Sequence, residues 1–299
     1  MKFYKYYWLY FVISACFLIP GLLSLFVNGF RLGIDFTGGS ILTIQAREAT
    51  QAALLTESNL RAYIDDRQTI NSIKFNDQGQ AIIRTGVIDN EQKNALLEQI
   101  NSRLPVEAVS FEAVGATMGS ELMSKTFAAI ALASLVLVGY LYYRFNNLAY
   151  GLGALLGVVH DVTIICGIFS LLGWWRGTEV DSLFVTAMLT TISFSVHDTV
   201  VIYDRIRELQ KKFPHSRFVD TCEAAVMATI SRSFNNSLTV CFMLLSLLLL
   251  GGVTLRSFAL ALLLGVVFGT YSSPFTSIPL LILFDKKGWF TKNDKQKKK

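Results

Sequence analysis

Long apolar runs, broken once by a polar segment, organise this chain. Six stretches reach the roughly 20 apolar residues that a bilayer-spanning helix needs: about 7–28, 124–143, 148–173, 182–203, 231–250 and 257–284. The first, "YYWLYFVISACFLIPGLLSLFV", is too long and too aromatic for a cleaved leader and lacks a small-residue cleavage site. It reads as a retained anchor, with Pro20 expected to kink it. The only long polar stretch runs from residue 30 to about 118. Its periodicity alternates between two and 3.6: strand "GSILTIQ", helix "TESNLRAYIDD", strand "INSIKFN", turn "DQGQ", strand "AIIRTGV", helix "DNEQKNALLEQINSRL", strand "EAVSFEAV". Thr56 and Asp89 stand where helix N-caps belong. The order βαββαβ predicts a ferredoxin-like unit.

The pattern therefore predicts a polytopic α-helical membrane protein with six transmembrane helices and one small external α/β ferredoxin-like domain. Its expected parts are an N-terminal span over 1–29, the external domain over 30–119, a five-helix bundle over 120–285 with a cytoplasmic loop at 204–230, and a basic tail over 286–299. Composition agrees: 52% of residues are hydrophobic and 16% charged, whereas soluble domains average about 25% charged. The net charge of +5 hints at nucleic acid only until the charges are located. Arg205, Arg207, Lys211, Lys212, Arg217 and Arg232 cluster between 204 and 232, and seven lysines lie in "DKKGWFTKNDKQKKK". Short loops on the opposite side carry little beyond Arg176 and Arg256. Positive charge stays inside, so both termini and the 204–232 segment are expected in the cytoplasm, facing anionic lipid, with no nucleic-acid partner. Cys16, Cys166, Cys222 and Cys241 form no close pairs and no metal-ligand spacing.

The external domain holds no nucleophile–base pair, metal cluster or phosphate loop, which points to a binding or lever domain rather than an enzyme. "RLGIDFTGGS" leads into its first strand. Gly38 and Gly39 permit backbone angles other residues avoid, and Asp35 is placed to bond the turn's own amides. The segment is a connector, and a strand rather than a helix follows the glycines, unlike a phosphate loop.

Ionisable groups inside spans are costly and mark functional sites. "GVVHDVTII" places His160 and Asp161 in the third span, and "FSVHDTVVI" places His197 and Asp198 in the fourth. Thr191, Ser195 and Asp198 share a helix face at i, i+4 and i+7; Thr186, Thr190, Ser193 and His197 form a neighbouring stripe. In the fifth span Arg232, Asn236 and Thr239 again share a face. The fourth and fifth spans are antiparallel, so Asp198 and Arg232 reach similar depth and are able to pair. Loss of water favours the protonated acid there, while a nearby guanidinium favours the anion. A static ion pair is the plain alternative for Asp198, and a cap on a polar network the plain alternative for Asp161. A metal site is disfavoured because adjacent residues point about 100° apart on a helix, and an intramembrane hydrolase because no Ser or Cys sits beside a base. "GLGALLG" and "GVVFG" are small-residue patterns for close helix packing.

These motifs carry a resemblance. "GIDFTGGS", "VVHDVTI", "HDTVVIYDRIRE" and Arg232–Ser233 followed by "NNSLTV" are similar to the SecF family, the smaller subunit of the SecDF accessory complex of the bacterial protein translocase, over essentially the whole chain. The resemblance implies one half of an RND-type transporter in the bacterial cytoplasmic membrane. Its implied partners are a SecD-like subunit, a SecYEG-type translocon and unfolded preproteins. It implies protons as the coupling ion and no other cofactor. By motif, the family's proton-transporting aspartate and arginine fall on Asp198 and Arg232. His197 departs from the pattern, since family members more often carry Asn there. The readings set against an export subunit are half of a small-molecule exporter, for which a 90-residue domain is too small, and a non-transporting scaffold, which does not need Asp198 to titrate.

Overall fold

The computed structural model describes residues 3–64, 70–76 and 78–287; most of the basic tail lies outside them, as do Asp65, Asp66 and Asp77. The chain forms two compact units, Leu32–Phe127 on the one hand and Met1–Arg31 with Ala128–Lys299 on the other.

The first unit opens with a short helix α2 (Ile34–Thr37), followed by β1 (Gly39–Ala46), α3 (Glu57–Tyr63), β2 (Ile70–Phe75), β3 (Ala81–Thr85), α4 (Asn90–Asn101) and β4 (Val106–Val114). The sheet order is β2-β3-β1-β4, with every neighbouring pair antiparallel. This is the ferredoxin-like arrangement. One face is apolar because side chains alternate along a strand: Leu42 and Ile44 of β1 and Ala81 and Ile83 of β3 point at Leu60, Leu96 and Ile100 of the helices. Each large aliphatic side chain so buried contributes about 1.5–3 kcal/mol. The helix starts are set by caps. Thr56 accepts from Asn59 N, and Asp89 with Gln92 forms a reciprocal capping box with bonds of 2.8 and 3.0 Å. The connector turns sharply before β1: Gly38 has φ of 72° and Gly39 of 124°. A Cβ on Gly39 would lie 3.0 Å from Thr85 O of the paired strand.

Six helices among the described residues are long and apolar enough to cross a membrane. They begin with α1 (Tyr7–Val27), which runs through Pro20 without a break, and α5 (Ala116–Phe145). α6 (Leu148–Arg176), α7 (Ser182–Lys212) and α8 (Phe218–Leu250) follow. The last span is not one uniform helix. α9 (Val253–Ser272) passes into a π-helical turn at Ser273–Ser277 and then α10 (Ile278–Lys286). Pro274 lacks the N–H that would reach back to Thr270, and its ring crowds that carbonyl, so the ladder widens there.

Within this unit α1 lies on α6, where Ser24 and Ser170 hydroxyls bond at 2.8 Å. α7 occupies the centre, touching α6, α8 and α9. Its approach to α9 depends on two residues of the "GVVFG" pattern. A Cβ on Gly265 would collide with Thr191, and one on Gly269 would sit 3.3 Å from Ser195 Cα. At the far end of α7 an apolar cluster of Phe145, Tyr150, Tyr203, Ile206, Cys222 and Leu281 closes the bundle. The four cysteines are free thiols.

Candidate functional site

α7 carries polar groups on two faces that meet different neighbours. On the first face Ser195 donates a 2.7 Å hydrogen bond to Asp161 Oδ2 of α6. Ser272 of α9 donates to the same oxygen, also at 2.7 Å. His160 Nδ1 is 2.9 Å from Asp161 Oδ1. Asp161 is fully buried and His160 nearly so, with Tyr271 stacked near its ring. Adjacent residues on a helix leave the backbone about 100° apart, yet the imidazole folds back onto the carboxylate of its own neighbour. The network continues through Thr199, whose hydroxyl bonds Ser273 at 2.9 Å, and through Ser273, which also donates to Ser195 O at 3.2 Å. Thr191 is buried against Gly265, and neither its hydroxyl nor His160 Nε2 has a hydrogen-bond partner among the described residues.

The second face presents Asp198 to α8. Asp198 is 8% exposed, nearly enclosed by its own bundle. Ser233, His197 and Arg232 are its polar neighbours around a shared space. A cavity of about 180 Å³ opens there, lined by His197, Asp198, Val201, Arg232, Ser233 and Asn236. That is room for several water molecules. A second, smaller cavity of about 10 Å³ lies against Asp198 on the side of Phe194 and Thr270, and a Ser237–Thr270 hydroxyl contact ties α8 to α9 beside it.

Asp198 and Arg232 line the same cavity, but no direct ion pair joins them among the described residues. Arg232 and Asn236 are exposed on the rim. Thr239, on the same face, donates to the carbonyl of Asn235 at 3.0 Å and stays off the cavity. His197 also faces outward, with Thr186 and Ser193 of its stripe. Asp35 lies in α2, and Gly38 and Gly39 form the turn into β1, so all three sit inside the α/β unit.

Three participants carry little signal in the sequence. Ser233 stands beside Arg232 but on the inward side of α8. Ser272 and Ser273 lie in a strongly apolar span, and only the following Pro274 marks the place where the helix opens.

Comparison with known proteins follows the same lines. Residues 92–287 match the family described as protein export membrane protein SecD/SecF, C-terminal, and residues 23–50 match the SecD/SecF GG motif. A protein translocase subunit SecF from Thermobaculum terrenum is 38% identical, over 93% of this chain and 92% of its own length. One from Anaerolinea thermophila is 35% identical, over 94% and 93%. The fold is similar to the crystal structure of SecDF, a translocon-associated membrane protein, from Thermus thermophilus, with a TM-score of 0.82 at 28% identity. That match covers 96% of this chain and 39% of the larger SecDF chain. A SecDF structure in a super-membrane-facing form matches with a TM-score of 0.69, over 99% of this chain and 40% of the other. Family match, full-length relatives and shared fold together make this chain a member of the SecD/SecF family of protein export membrane proteins.

Proposed function

We propose that the chain is the SecF-type subunit of the protein export machinery, and that it couples proton movement through its span bundle to the handling of unfolded preproteins on the outer side. Asp198 is the proton carrier and Arg232 the cation that responds to its charge. The reading rests chiefly on one observation: an ionisable carboxylate near the middle of a membrane-crossing helix faces a hydratable cavity with an arginine on its wall. Such a group is too costly to keep in hydrocarbon without a task. A direct ion pair holds both charges fixed. A shared cavity leaves the carboxylate free to exchange a proton with water while the guanidinium still senses its charge.

The partner is a SecD-like half. The fused SecDF relative from Thermus thermophilus supports this, since this chain matches 38% of its length. So does the outward face formed by His197, Arg232, Asn235 and Asn236, which are exposed on the isolated chain. Polar groups at this depth turn to a protein neighbour or to water rather than to lipid. Both termini lie in the cytoplasm, the α/β unit is external, and the SecYEG-type translocon is the complex it serves.

One proton falling through 100 mV supplies about 2.3 kcal/mol. Switching a two-state element from 1:99 to 99:1 takes about 5.5 kcal/mol. Each cycle therefore uses more than one proton or an incomplete switch.

The test is export of a reporter preprotein from energised proteoliposomes holding the translocon, the SecD-like partner and this chain. Asp198→Asn lowers proton-dependent export to the level without this chain, with the complex still assembled. Native export from the assembled variant overturns the reading.

A further inference from the structure

We infer that Asp161 is a positioning residue for Asp198: through Ser195 and the α9 serines it fixes the rotation of α7 that turns Asp198 towards the α8 cavity. This rests on Asp198 being the proton carrier, and it assigns a role outside the cavity to a carboxylate that never reaches it.

The geometry is a clamp with three jaws. Asp161 Oδ2 accepts from Ser195 of α7 and Ser272 of α9, both at 2.7 Å. Oδ1 is occupied by His160 Nδ1 of α6 at 2.9 Å. One fully buried carboxylate thus holds three helices by side-chain contacts, and hydrogen bonds are stronger in such a low-dielectric interior. α7 is gripped on both sides of Asp198 in sequence. Ser195 lies three residues before it, and Thr199, bonded to Ser273 at 2.9 Å, lies one residue after it.

Helical arithmetic gives the consequence. Three residues subtend about 300°, so Ser195 and Asp198 differ by about 60° around the axis. A turn of α7 by that angle would carry Asp198 into the place Ser195 now fills, away from Ser233 and the cavity. The Thr191–Gly265 contact and the close approach of Gly269 to Ser195 resist such a turn sterically. The hydrogen bonds resist it directionally. The close approach of α9 at Gly269, beside Ser195, keeps Ser272 and Ser273 within reach. The groups facing Asp198 are His197 of its own helix, Arg232 and Ser233 of α8, and uncharged Thr270 of α9 along the narrow pocket. Asp161 therefore meets α7 about 60° around the axis from Asp198, off the cavity, and is coupled to it through the helix itself.

The test reads the orientation of Asp198 without relying on export. Full-length chain assembled with its partner half in proteoliposomes is treated with dicyclohexylcarbodiimide, which labels accessible carboxyl groups in apolar surroundings. Labelling at Asp198 is resolved by peptide mass spectrometry. Asp161→Ala, which removes both acceptor oxygens, is expected to slow labelling of Asp198 at least fivefold, and Ser195→Ala two- to threefold. Asp161→Asn, whose amide oxygen still accepts from the serines, recovers part of the rate. If Asp161→Ala fails to fold, Ser195→Ala alone decides, since it removes a single hydroxyl. Native labelling rates in the folded variants overturn the positioning role. The carrier reading fails separately: it falls if Asp198→Asn exports normally, whatever the labelling shows.

Discussion

Ser195 and Asp198 stand one helical turn apart on α7 and answer to different partners. Ser195 bonds Asp161 on α6, whereas Asp198 faces Ser233 and Arg232 on α8. The helix between them is a common shaft. The face of α7 that carries Ser195 is fastened to α6, about 60° around the axis from the face that meets the cavity.

That fastening has a measurable strength. Hydroxyl hydrogen bonds between membrane helices average about 0.6 kcal/mol and reach about 1.7 kcal/mol. Ser195→Ala removes a donor to a buried carboxylate and belongs at the upper end of that range. Thermal unfolding in detergent should show the loss, and a cycle with Ser272→Ala should show non-additivity, because both hydroxyls serve one oxygen.

Gly265 is a second fixed point. Its missing side chain is filled by Thr191, so Gly265→Ala forces α7 and α9 apart and costs about 1–3 kcal/mol, as overpacking does. Adding Thr191→Ala removes the nearest atom and should recover part of that loss. A double variant no more stable than Gly265→Ala alone would show that the contact does not set the helix separation.

Gly39 sets the entry to the sheet. At φ of 124° an L side chain is strained, and its Cβ would press on Thr85 O. Gly39→Ala is expected to cost about 1–3 kcal/mol, read as faster hydrogen exchange at the β1–β3 ladder. Proline at Gly38 or Gly39 disrupts this turn outright, because its φ is fixed near −65°.

Arg232 carries a functional prediction. Arg232→Gln keeps a hydrogen-bonding side chain, though a shorter one, and removes the cation on the cavity wall, so proton-dependent export should fall as predicted for Asp198→Asn. Arg232→Lys restores a cation and should recover part of the activity. Full activity in Arg232→Gln would leave Asp198 without its proposed counter-charge.

Much of this molecule is written in periodicity. The alternation of Ala81–Thr85 and the caps at Thr56 and Asp89 define the α/β unit because strand pleat and helix capping are local properties. Six apolar runs define the spans for the same reason. The site is only half local. Helical spacing places Thr191, Ser195 and Asp198 on one broad face, but a separation of about 60° is enough to send Ser195 to α6 and Asp198 to α8. Which neighbour each meets depends on how four helices pack, and no single helix encodes that. Ser272 and Ser273 are harder still. Hydropathy averages them into an apolar run, and their role emerges only where Pro274 loosens the backbone and Gly269 lets α9 approach.

The outward polar face of α7 and α8 also bears on how the subunit is kept in the cell. Arg232 stands at the start of the apolar run of α8 and, with Asn235 and Asn236, is exposed on the chain by itself. Polar groups next to hydrocarbon need water or a protein neighbour, so this face is left unsatisfied until a companion covers it. On the proposed pairing with a SecD-like half, the half-life of this chain in cells is expected to shorten when that companion is not supplied, so its level would follow the companion's.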